Sequence, residues 1–215
     1  MGFLGYRRPD GRAGIRNHVV VMSSVSCANG VVAAVGRALP DVKTITHTEG
    51  CGRGPADIAI TWRTLTGLGK NPNVAAILVI GLGCEFIPAP GLAADIAQTK
   101  KPTEFLVIQE KGGSRKTTEA AVEIAGKFLA HAASLEREPC EWSDLILATN
   151  CGGSDALSGV TANPLVGALS DWLVAQGGTT MLSETTEMIG TEQVLARRAE
   201  DPEIARRIVD LIAKQ

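Results

Sequence analysis

The sequence is poor in aromatic residues: they make up 4% of its 215 positions, with a single tyrosine. Little ring surface is on offer for stacking bases or sugars. Charge excess is also lacking, since 21 Lys and Arg against 23 Asp and Glu leave −2; no field points to nucleic acid or an acidic membrane. The longest apolar run, Val74 to Leu82, falls far short of the roughly 20 residues that span a bilayer. No apolar leader opens the chain, so a cytoplasmic protein is expected. Neither a Cys-x-x-Cys pair nor a Walker A loop occurs, and Gly81-Leu82-Gly83 runs into Cys84-Glu85-Phe86 without completing a dinucleotide fingerprint. Five cysteines, an odd number without a leader, argue against a disulfide framework.

What is present is a 45% hydrophobic chain with 24 glycines, too apolar to be disordered. Short β-branched runs recur at His18 to Val25, Val42 to Thr46, Val74 to Ile80, Glu104 to Ile108, Leu145 to Thr149 and Thr179 to Leu182. Each reads as a buried strand. Helical stretches lie between them. Ser114 or Thr117 opens one with Val122, Ala125, Leu129 and Ala132 in a stripe; Asn163-Pro164 opens another that presents Leu165, Leu169 and Leu173 and stops at Gly177; Asp201-Pro202 opens a third. Strand alternating with helix predicts a doubly wound, mainly parallel, Rossmann-like α/β sheet. Four βα units are expected over 1–135 and two more of the same lobe over 140–215, with a seam at Glu136 to Pro139.

Ligands of such sheets bind beyond the carboxyl ends of the strands. Four of the five cysteines, Cys27, Cys51, Cys84 and Cys151, fall just after predicted strands beside small residues; Cys140 does not. One such cysteine is readily a small packed residue, but four in equivalent positions point to a ligand, with thiolates gathered from separate loops suiting iron, as a single ion or a cluster, or zinc. His47 beside Glu49 reads as a ligand, a general base or a hydrogen-bonded rim histidine. Arg7, Arg8, Arg12 and Arg16 form a cationic cluster suited to a carboxylate, or a solvated loop. Gly112-Gly113 and Gly152-Gly153 precede helix starts, where N–H groups favour anions.

The ordered segments Gly5-Tyr6-Arg7-Arg8 through Arg16-Asn17, Ser26-Cys27-Ala28-Asn29, His47-Thr48-Glu49-Gly50-Cys51-Gly52, Gly81-Leu82-Gly83-Cys84-Glu85, Cys151-Gly152-Gly153-Ser154-Asp155 and Glu184-Thr185-Thr186-Glu187 resemble the altronate/galactarate dehydratase family, which includes the large subunit of sulfolactate sulfo-lyase. The resemblance implies an iron-dependent lyase removing water, or sulfite, from a small hydroxy-carboxylate. It implies metal-facing Cys27, Cys51, Cys84 and Cys151, proton transfer by His47 with Glu85 and Asp155 as alternatives, and substrate held by Arg12, Arg16, Asn17, Asn29, Ser154 and the two glycine pairs. The family's catalytic region continues into a second lobe, so the expectation is a first part with little activity alone, partnered by that lobe or by a separate small subunit. A homo-oligomer stays open.

Overall fold

The computed structural model describes residues 2–153 and 155–214, so Ser154 lies outside the described residues. The chain divides into two compact units, 2–140 and 141–215.

In the first unit the runs that read as strands form β3 (His18–Ser23), β4 (Lys43–Ile45), β5 (Val74–Gly81) and β6 (Thr103–Val107), after two short strands, β1 (Gly2–Arg7) and β2 (Ala13–Gly14). β3 to β6 make a parallel sheet in the order β4-β3-β5-β6. The α/β expectation holds. All eight residues of β5 are buried, as the central strand of a sheet covered on both faces requires. Alternation along β3 sends Val19 and Val21 into one core, with α1 (Asn29–Ala38) and α4 (Ser114–Ser134), and Val20 and Met22 into the other, with α2 (Pro55–Lys70) and α3 (Ala89–Ala97). Ala125 and Ala132 of the expected stripe are buried in the first core, with Val122 and Leu129 packed against it.

A second sheet was not read from the sequence. β1 pairs antiparallel with β2, and its other edge neighbours β7 (Glu138–Glu141) in the sheet order β2-β1-β7. The arginine-rich segment belongs to this layer and lies at the amino ends of β3 and β5. Arg8 is 4% exposed; it donates to the Pro72 and Arg16 carbonyls at 2.6 and 2.8 Å and to Asn17 Oδ1 at 2.9 Å. Asn73 Oδ1 accepts the Ile15 and Arg16 N–H groups at 2.9 and 3.0 Å. Lys101 is buried beside the same edge and donates to the Gly69 and Asn71 carbonyls at 3.0 and 2.8 Å.

In the second unit, β8 (Ile146–Thr149) and β9 (Thr179–Leu182) pair parallel in a sheet of their own around α5 (Ala162–Ala175), followed by α6 (Glu192–Ala196) and α7 (Pro202–Ile212). β8 and β9 make a two-stranded sheet distinct from the four-stranded one. α5 begins one residue before Asn163, and of its expected apolar face only Leu173 is buried; Leu165 is 71% exposed. Asp201 caps α7 as expected, accepting the Glu203 N–H at 2.7 Å. Among the described residues no helix is long and apolar enough to cross a membrane.

Burial, reinforced by the Arg8 and Arg12 charges, pushes Lys101 from its ordinary 10.5 down to about 8. Between those values the unfolded chain binds the extra proton, so this residue makes stability rise with pH from about 8 towards 10.5. Urea unfolding of the parent and Lys101→Met at pH 7.5, 8.5 and 9.5 checks this. The parent is expected to gain on the variant as pH rises; a constant difference would contradict it.

Candidate functional site

The carboxyl ends of β3, β4 and β5 are stitched together by side chains bonded to backbone. Asn29 Nδ2 donates to the His47 carbonyl at 2.8 Å, and Ser23 Oγ donates to Asn29 Oδ1 at 2.7 Å. His47 Nε2 lies 2.9 Å from the Ser23 carbonyl, and its Nδ1 lies 3.2 Å from the Glu49 amide nitrogen. A carbonyl only accepts and an amide N–H only donates, so in this arrangement Nε2 donates and Nδ1 accepts. Both nitrogens are occupied in shaping this loop. The Ser26 N–H closes the seam by donating to the Glu49 carbonyl at 2.8 Å.

The loop after β5 is organised by Glu85. One carboxylate oxygen accepts the Gly83 and Cys84 N–H groups at 2.6 and 3.0 Å, and the other accepts from Ser24 Oγ at 3.2 Å. Gly81 makes room for this: a Cβ there would run into the Glu85 carboxylate and stand 2.8 Å from Ala89 Cβ. Gly83 has φ +123°, a conformation open to glycine. Cys51 and Cys84, both exposed, meet here, with Cys51 Sγ 3.9 Å from the Cys84 carbonyl. Cys27 is exposed in the short turn Ser26–Ala28, and Cys140 is buried.

Two recesses open beside these loops. A cleft of about 20 Å³ is lined by Ser24, Glu49, Arg53, Thr61, Glu85 and Phe86, among others. A groove of about 450 Å³ lies between β4 and α2, with His47, Glu49, Arg53 and Asp57 beside apolar Ile45, Ile60 and Leu68. Arg53 and Glu49 border both and form an ion pair, Nη2 to Oε2, of 2.9 Å. In the sequence Glu49 stands out only as a neighbour of His47, and Arg53 does not stand out at all. Its signal was position: a cation in the turn just before Pro55, at the start of α2.

Other expected site residues are placed differently. Arg12 pairs with Asp10 and donates to the Lys70 carbonyl at 2.6 Å, while Asn17 bridges Arg8 and the Ala132 carbonyl. With Arg16 they lie at the amino edge of the sheet, a strand length away from the rim, roughly 20–25 Å at the usual rise. The Gly112 and Gly113 N–H groups are spent on the Gln109 and Ile108 carbonyls at the start of α4. In the second unit Cys151, exposed, donates its N–H to Glu184 at 2.6 Å, Gly152 and Gly153 border open space, and Asp155 accepts the Leu157 and Ser158 N–H groups of its own turn. Among the described residues no three His, Cys, Asp or Glu side chains gather closely enough to hold a metal ion. The described arrangement therefore does not by itself fit the iron that the resemblance implies.

Taken on its own terms, residues 2–140 are a doubly wound α/β unit with a polar, loop-built rim at the carboxyl edge of a parallel sheet. The chain belongs to the D-galactarate dehydratase/altronate hydrolase family: residues 5–133 match its second domain and 142–215 its C-terminal domain. It is 39% identical over 209 residues to the (2R)-sulfolactate sulfo-lyase subunit beta of Chromohalobacter salexigens, 95% of this chain and 52% of that protein. It is 36% identical to the altronate dehydratase of Bacillus subtilis and 35% identical to the galactarate dehydratase (L-threo-forming) of Escherichia coli, covering 98% and 97% of this chain and 44% of each of those proteins. The chain spans about half the length of the curated relatives it matches.

The packing at Gly81 makes a specific demand. Gly81→Ala is expected to lower the unfolding free energy by about 1–3 kcal/mol, the usual cost of overpacking, because Glu85 or Ala89 must give way. Denaturant unfolding checks it, and an unchanged midpoint would contradict the close approach.

Proposed function

We propose that the chain is part of a lyase that eliminates water from a hydroxylated sugar acid, such as altronate or galactarate, to give a 2-keto-3-deoxy acid. The observation that carries this reading is that, in a chain of this family, two carboxylates and a guanidinium, Glu49, Glu85 and Arg53, border one cleft at the rim. The reaction needs a base for the proton α to the substrate carboxylate and positive charge for the enediolate that develops. As that C–H bond breaks, its electron pair moves onto the carboxylate as the enediolate; when the pair returns, the C2–C3 double bond forms and the C3–O bond breaks. The hydroxide leaves and takes up a proton as water, and the enol tautomerises to the keto acid.

Glu85 is held by three donors, which suits it to fixing the Gly83-Cys84 turn. Glu49 has a half-exposed ion pair as its side-chain tie and is our candidate for the proton acceptor. His47, both ring nitrogens bound to backbone, orients the loop that carries Glu49. No step here depends on iron. A second reading, elimination of sulfite from a sulfonated hydroxy acid with a partner subunit, is supported by the 39% identity to a sulfo-lyase subunit beta.

Proton exchange tests the first half of the chemistry without requiring complete turnover. The chain is incubated in D2O with galactarate, altronate or sulfolactate, and C2–H exchange, keto acid and sulfite are followed. Exchange or keto acid with a sugar acid is expected, falling about 10²–10⁴-fold in Glu49→Gln. Sulfite from sulfolactate alone would favour the second reading, and neither exchange nor product from any of the three would contradict both.

A further inference from the structure

The groove between β4 and α2 has an unusual charge inventory. Among the described residues that line either recess, Arg53 is the only Lys or Arg. It lines the groove together with two carboxylates, Glu49 and Asp57, and is paired with Glu49. The side chains of that pair are 48% and 35% exposed, and exposed pairs contribute only about 0–1 kcal/mol, so an arriving anion displaces Glu49 at little cost. At about 450 Å³ the groove falls within the roughly 300–1,000 Å³ of small-molecule sites. Its lining joins apolar Ile45, Ile60 and Leu68 with Thr46, Thr61 and Thr64, hydroxyls able to meet a polyhydroxylated chain.

We propose that Arg53 anchors the substrate's carboxylate at the mouth of this groove, and that Glu49 occupies the anchor until substrate displaces it. The inference rests on the hydroxy-acid reading above and deepens it. A guanidinium presents a planar fork that a carboxylate can engage with both oxygens, and the resident Glu49 carboxylate stands in for the incoming one. Displacement also frees the Glu49 carboxyl group beside the bound acid, where a proton acceptor is needed. Binding and activation of the base are thereby one exchange of carboxylates on one arginine.

Calorimetry on the full chain tests this without requiring turnover. The probes are galactarate, altronate as a second acid, and galactitol, the galactarate carbon skeleton with alcohols in place of the acids. The parent is expected to bind galactarate at least tenfold more tightly than galactitol. Arg53→Gln is expected to weaken galactarate binding roughly 10- to 100-fold, the usual worth of a charge-assisted hydrogen bond, and Arg53→Lys by less. Glu49→Gln is expected to tighten galactarate binding several-fold, because the competing internal carboxylate is gone, whereas a merely structural Glu49 would weaken it or leave it unchanged. Parent binding with an unchanged Arg53→Gln, or a Glu49→Gln that does not bind more tightly, overturns the anchor and leaves the hydroxy-acid reading standing. A parent that binds neither galactarate nor altronate overturns both. Should Arg53→Gln fail to fold, as judged by circular dichroism, Arg53→Lys and Glu49→Gln still decide.

Discussion

Burial of β5 on both faces is the constraint from which the rest of residues 2–140 follows. A strand with no exposed residue obliges helices to cover both sides of the sheet, and polar chemistry is then confined to its two ends. The amino end is closed: Arg8, Asn17, Asn73 and Lys101 spend their side-chain donors and acceptors on nearby backbone or on one another. The carboxyl end stays open. There Gly81 lets Glu85 fold back, and the loops after β3 and β4 meet it.

A division of labour results among polar groups that look alike in sequence. His47, Asn29 and Glu85 are engaged through backbone and neighbouring side chains and hold the loops in place. Among the described residues the side chains of Glu49 and Arg53 are tied to each other by a partly exposed ion pair, leaving them able to change partners at small cost. Rigid support beneath an exchangeable pair is the arrangement expected of a binding site that must receive and release an anion.

The sheet was legible because β-branched runs such as Val19 to Val21 and Val74 to Ile80 carry the burial of parallel strands in their composition. β1 was not: Gly2 to Arg7 has no such run, and its partner Glu138 to Glu141 lies over 130 residues away in sequence. The carboxyl rim was also legible, since the loops bearing Cys27, His47, Cys51, Cys84 and Glu85 all fall there. For Arg12 and Asn17 composition leaves the role open: a guanidinium or amide that ties backbone together has the same composition as one that holds a substrate, and only its neighbours distinguish the two. Arg53 went unread because nothing local marks a single arginine until α2 and β4 form a groove around it. Leu165 and Leu169 show the limit of periodicity, which identifies an apolar face without saying what covers it.

The central claim is that the carboxyl rim of the 2–140 sheet receives a hydroxy-carboxylate. Amide NMR shifts of the full chain titrated with galactarate test it most directly. The account predicts that the amides of Glu49, Gly50, Arg53, Gly83 and Cys84 move together and saturably, while those of Ile15, Arg16 and Asn73 at the amino edge do not. Saturable shifts at the amino edge, with the rim unmoved, would contradict it.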